Sequence, residues 1–105
     1  MVEVRKITSL DDLKSFYAES PDSLHIVKIG APWCGPCRTT SENLKACNIN
    51  FEEIDIDENE DIADKKHITS IPVVEFYNDN EDTPKVTYTG LLTQDKIKEI
   101  IKDLI

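Results

Sequence analysis

The sequence predicts an α/β chain: a central mixed β-sheet flanked by helices, in the order βαβαβαββα. Three observations predict it. Apolar runs of strand length, above all "LHIVKIGA", alternate with stretches whose apolar residues recur at helical spacing. The two late strand-like segments are joined only by a polar loop and so pair antiparallel, while helices separate the earlier ones. Finally, 105 residues without repeat, low-complexity tract or linker read as one domain, 1–105, large enough for one hydrophobic core.

Taken in order, "VEVRKI" alternates apolar and polar residues over Val2 to Ile7 and reads as a short first strand. Thr8 or Ser9 offers a helix cap, with Asp12 three residues after Ser9. Leu10, Leu13, Phe16 and Tyr17 then recur at helical spacing until "ESPD" stops the helix. Leu24, Ile26, Val27 and Ile29 form a compact apolar run, as expected of a central strand covered on both faces. "RTTSENLKACN" predicts a helix with Thr40, Leu44 and Cys47 near one face, and "INFEEIDID" a strand. "ENEDIADKKH" makes a short helix, followed by strands over Val73 to Tyr77 and Lys85 to Tyr88. In the last helix Ile97, Ile100, Ile101, Leu104 and Ile105 form one stripe behind a Thr93 cap.

Composition narrows the function. Apolar content of 39% with 31% charged residues reads as soluble and globular. Twelve basic against 21 acidic residues leave a net charge of −9, a field that repels phosphate backbones, so nucleic acid and anionic membranes are excluded as partners. No apolar run approaches the roughly 20 residues needed to span a bilayer. The N-terminal stretch lacks the apolar region of an export signal, so a cytoplasmic location is expected.

Three cysteines do not make the even framework of a secreted mini-domain. Two of them, Cys34 and Cys37, stand at C-x-x-C spacing just after the buried strand and at the start of a helix. There the first sulfur meets unpaired backbone N–H groups and the positive end of the helix dipole, which favour thiolate. The second lies one turn later, close enough to close a small ring. Cys34 is therefore expected to attack a substrate disulfide and Cys37 to resolve the mixed disulfide. Pro36 stiffens the first turn without losing a hydrogen bond, because its missing N–H would have had no helical partner. A zinc site needs a second ligand pair, and Cys47, His25 and His67 do not supply one, so no metal is expected. The acidic run "DIDENEDIAD" lacks the central glycine and terminal glutamate of a calcium loop. Cys47 reads as a small buried hydrophobe, and His25 and His67 as surface or rim residues.

Together "APWCGPCR", "IDIDEN", "ITSIPVVEFY" and "YTGLLTQDKIKEII" resemble the thioredoxin family across nearly the whole chain. The resemblance implies the thioredoxin fold and a thiol–disulfide oxidoreductase that reduces protein disulfides through Cys34 and Cys37. It implies no bound cofactor, only the redox-active Cys34–Cys37 disulfide, with a flavoprotein reductase drawing on NADPH as electron donor and a monomeric state. Ile71-Pro72 falls where the family has its cis-proline, and Gly90 on the glycine after the final strand. An extended substrate segment would then pair with the Ile71 backbone, with Trp33, Gly35, Pro36, Gly90 and Leu91 beside Pro72 as walls. "TGLLTQD" lacks the Gly-Gly-x-Asp segment of a glutaredoxin, which argues against a dedicated glutathione site.

The sequence also departs from the family. Lys28 stands where the family carries a buried aspartate, and Glu53 where it carries the opposing lysine, as though the pair were charge-reversed. Lys28 and Glu53 are thus candidates for proton transfer or pKa tuning at Cys37. A cation there would favour thiolate and move the protein toward an oxidase or isomerase; the other readings are a base role for Glu53 or for Lys28 itself, or a Lys28 stem that snorkels outward. A redox-silent binding module is the further alternative. Glu42 replaces the family's helix-kinking proline, and Gly30 its second tryptophan, which is expected to loosen the site or admit a different partner.

Overall fold

The computed structural model describes residues 2–19, 24–78 and 83–105. Among these the elements run β1 (Val4–Lys6), α1 (Leu10–Glu19), β2 (His25–Gly30), α2 (Gly35–Ala46), β3 (Phe51–Asp55), α3 (Glu60–Lys65), β4 (Val73–Tyr77), β5 (Val86–Thr89) and α4 (Gln94–Leu104). They form one sheet in the order β1-β3-β2-β4-β5. β1, β3 and β2 run parallel, β4 runs antiparallel to β2, and β5 antiparallel to β4. The predicted element order and mixed sheet are those observed. The helix stop at "ESPD" and the middle of the β4–β5 loop fall largely outside the described residues.

Period-two alternation divides the core between the two faces. Val73 and Tyr77 pack with Val27, Ile29 and Ile54 beneath Leu13 of α1 and Ile62 of α3. Val74 and Phe76 point the other way, with Ile26 and Phe51, beneath Leu44 of α2 and Ile97 and Ile100 of α4. β2 is buried along almost its whole length, as its apolar run requires. This central, twice-covered strand ends at Gly30 and delivers the chain to the cysteine pair.

The helix starts follow their side chains. Ser9 Oγ accepts the Asp12 N–H at 3.0 Å, while the Asp12 carboxylate accepts the Thr8 hydroxyl at 2.7 Å and the Thr8 N–H at 3.0 Å. Thr8, through its hydroxyl and then its amide, holds the Asp12 carboxyl below the usual range. Thr93 Oγ1 accepts the Lys96 N–H at 3.2 Å and opens α4. The predicted stripe of α4 runs one residue too far: the helix ends at Leu104, and Ile105 is 86% exposed. The first strand, Val4–Lys6, is shorter than the expected Val2 to Ile7, although the Ile7 N–H still donates to the Glu53 carbonyl at 2.9 Å and its side chain enters the core.

A polar cluster that no motif marks lies on the α1–α3 face. Lys66 Nζ contacts the Glu75 carboxylate at 3.0 and 3.3 Å and donates to Tyr17 Oη at 2.8 Å, and Tyr77 Oη donates to Glu75 Oε1 at 2.8 Å. His25 belongs to the same neighbourhood, which corrects its reading as a surface or rim residue. Its register opposite Tyr77 stacks the two rings at 5.4 Å, and Phe16 meets it edge-on at 5.1 Å. His67 is exposed.

This cluster has a pH signature. Burial opposes the Lys66 charge, but the Glu75 carboxylate and the Tyr17 hydroxyl outweigh it and hold the ammonium above the ordinary lysine value. Burial, then Glu75, pushes the Tyr77 phenol far up. Both groups bind their protons more tightly when folded. Their stabilisation is therefore complete below the unfolded values of 10.0 and 10.5 and is lost as pH rises beyond them. Urea midpoints should hold through neutral pH and fall above about pH 10; Tyr77→Phe should flatten part of that fall.

Candidate active site

Cys34 caps α2 from an extended conformation, and its Sγ accepts the Cys37 N–H at 3.1 Å. The cap places the sulfur at the positive end of a 12-residue helix, where negative charge is favoured. Cys34 and Cys37 are joined as a disulfide with their Cα atoms 5.2 Å apart. They are not equivalent: Cys34 keeps 7% of its surface and Cys37 none. α2 begins at Gly35, ahead of the helical run from Arg38, and the Cys34 cap and Pro36 place the whole motif in the first turn, as expected of a pair at a helix start. The preceding turn is pinned by Arg38 Nη1, which donates to the Pro32 carbonyl at 3.0 Å.

Two other segments converge here. Ile71 packs against the cysteine pair and precedes Pro72 through a cis peptide bond. The Gly90 N–H donates to the Pro72 carbonyl at 2.8 Å, with Gly90 at φ +103°, a conformation that side-chain-bearing residues rarely adopt. Leu91 follows, 41% exposed, and Trp33 is 66% exposed, which rules out a core-capping role for its ring. Gly35 is half-buried and Pro36 exposed.

Some positioning residues escaped the sequence reading. Trp33 Nε1 donates to Asp57 Oδ2 at 2.7 Å, so one carboxylate of the acidic run holds the exposed indole in place. Buried Thr40 accepts the Leu92 N–H at 3.1 Å, and Asn43 donates to the Leu92 carbonyl at 2.9 Å. These bonds tie α2 to the loop carrying Gly90 and Leu91. Only the polar identity of Thr40 on an otherwise core-facing stripe signalled the contact. Cys47 is half-buried at the C-terminal end of α2 rather than fully buried within it, and packs against the core beneath α2 and α4.

Lys28 does not snorkel. It is 5% exposed, stands opposite Glu53 in the β2–β3 register, and meets Glu53 Oε2 at 3.2 Å. Nor does Gly30 loosen the site. A β-carbon there would lie 2.8 Å from Cys37 Sγ and 3.3 Å from Lys28 Cε, so its missing side chain is what lets both approach. Among the described residues no helix is long and apolar enough to cross a membrane.

Comparison with known proteins agrees with this geometry. The thioredoxin family model matches residues 6–103. A thioredoxin of Chlamydia pneumoniae is 35% identical over 105 residues, covering 95% of this chain and 94% of the relative. NADPH-dependent thioredoxin reductase 3 of Arabidopsis thaliana is 32% identical over 96 residues, covering 86% of this chain but 18% of that protein. Among solved structures, Fasciola hepatica thioredoxin superposes with a TM-score of 0.81 at 27% identity, covering 96% of this chain and 99% of that one.

Proposed function

This chain belongs to the thioredoxin family and carries a thiol–disulfide oxidoreductase site, and from that premise we propose that it is a reductant of protein disulfides. One observation carries the reading: of two sulfurs at disulfide distance, only Cys34 is open to a partner, and it sits at a helix N-terminus. In the reduced protein the Cys34 thiolate attacks one sulfur of the substrate disulfide and expels the other as a thiolate. Cys37, one turn away, then attacks Cys34 Sγ, which releases the second substrate sulfur and forms the Cys34–Cys37 bond. Two electrons have passed to the substrate, and the chain is left oxidised.

Around the sulfurs, Ile71 and Pro72 form the edge on which an extended substrate lies, with Trp33, Gly35, Pro36, Gly90 and Leu91 as its walls. Trp33 and Leu91 are exposed apolar surface beside the nucleophile, which suits a peptide partner. Re-reduction falls to an NADPH-linked flavoprotein reductase. The similarity to one segment of an NADPH-dependent thioredoxin reductase supports that class of donor. No bound cofactor is required, and a monomer in a reducing cytoplasm suits the cycle.

Reduction of insulin disulfides with dithiothreitol as donor tests the reading. The chain should accelerate precipitation of the insulin B chain, and Cys34→Ser should return the rate to that of dithiothreitol alone. A wild-type rate equal to the uncatalysed one would favour a redox-silent binding module instead.

A further inference from the structure

We propose that Lys28 and Gly30 are positioning residues that hold a buried cation beside Cys37, so that in the reduced protein Cys37 rests as a thiolate and the dithiol becomes a weaker reductant. The inference deepens the disulfide-reduction reading and rests on it.

The geometry comes from a gap. The place where a side chain at Gly30 would begin is 2.8 Å from Cys37 Sγ, 3.1 Å from Cys37 Cβ and 3.3 Å from Lys28 Cε. The sulfur and the lysine stem therefore both border the space of one missing side chain, which puts them near each other. Lys28 is 5% exposed and held by Glu53 at 3.2 Å, while the Glu53 side chain keeps 28% of its own exposure. That asymmetry decides the sign. Water screens the Glu53 charge, whereas the Lys28 charge acts through protein, so Cys37 lies in a net positive field.

A cavity of about 420 Å³ adjoins the pair. Lys28, Gly30 and Ile54 line its inner wall, and exposed Lys6, Arg38 and Lys45 its mouth. Its remaining charged groups, Glu42 from α2, Glu53 and Asp55 from β3 and Glu58 from the following loop, are half-buried or exposed. Lys28 is thus the one buried charge on the cavity wall. When an external dithiol reduces the protein, the Cys34–Cys37 bond breaks, the donor closes its own disulfide and both cysteines gain an electron. A Cys37 thiolate then retains its charge against Lys28, and the donor proton it does not take up passes to solvent.

Equilibration of the full chain at pH 7 in mixtures of reduced and oxidised glutathione, followed by Trp33 emission, tests this. Lys28→Met should make the dithiol at least tenfold easier to oxidise, a midpoint lower by about 30 mV. Glu53→Gln, which removes the anion opposing Lys28, should shift it in the opposite direction, and Lys28→Arg should stay close to wild type. Shifts of Lys28→Met and Glu53→Gln that share one sign, or remain within twofold of wild type, overturn the proposal while leaving disulfide reduction standing. A wild-type protein with no reversible two-electron midpoint overturns both.

Discussion

Cys37→Ser should convert the chain from a catalyst into a covalent trap. The Cys37 N–H that donates to Cys34 Sγ at 3.1 Å belongs to the backbone, so the serine variant retains it and the nucleophile stays favoured. Attack on a substrate disulfide should therefore proceed, while release should not. In the wild type the resolving sulfur is built into the same helical turn, and a well-placed intramolecular group acts as though present at ~10⁵ M or more. Millimolar external thiol cannot match that, so steady-state insulin reduction should fall at least about a thousandfold. Non-reducing mass spectrometry should show a one-to-one mixed disulfide on Cys34. Turnover within tenfold of wild type, with no adduct, would mean that some other thiol resolves the intermediate; Cys47 is the remaining cysteine.

Lys66→Met should give the largest loss of stability away from the sulfurs. Glu75 lies inside the sheet layer at 6% exposure, and Lys66 is the cation that compensates it. Among the described residues, removal of that partner leaves an interior carboxylate with only the Tyr77 hydroxyl bonded to it, a change that typically costs about 3–5 kcal/mol. Urea unfolding of the oxidised chain should show a loss of that size. Adding Glu75→Gln should recover more than half of it, because no buried charge is then left unpaired. A single-variant loss below about 1 kcal/mol would mean that water reaches Glu75 and screens it.

The two predictions rest on features of different legibility. Cys34, Gly35, Pro36 and Cys37 stand within one turn, so their spacing alone implies a shared chemistry. Lys66 and Glu75 are nine residues apart, one at the C-terminal cap of α3 and the other on β4, and neither belongs to a pattern. Elements were legible where periodicity was strong: β4 runs over the predicted Val73 to Tyr77, and Thr93 caps α4 as expected. Boundaries were less so where a side-chain bond set them. The apolar spacing of α2 shows only from Arg38 on, and it is the C-x-x-C motif with Pro36, not periodicity, that places the helix start at Cys34.

By itself the sequence determined the α/β order, the cap-and-stripe logic of the helices and the redox pair, since each depends on neighbours within a turn or a strand. Tertiary structure alone decided what lies against the pair. Lys28 meets Glu53 across 25 residues because β2 and β3 pair in parallel, and Gly90 reaches Pro72 because β5 returns beside β4. Trp33 is held by Asp57, and Gly30 admits both Cys37 and Lys28, for the same reason. Strand register and helix packing set which distant side chains share a space, and linear spacing carries no record of either.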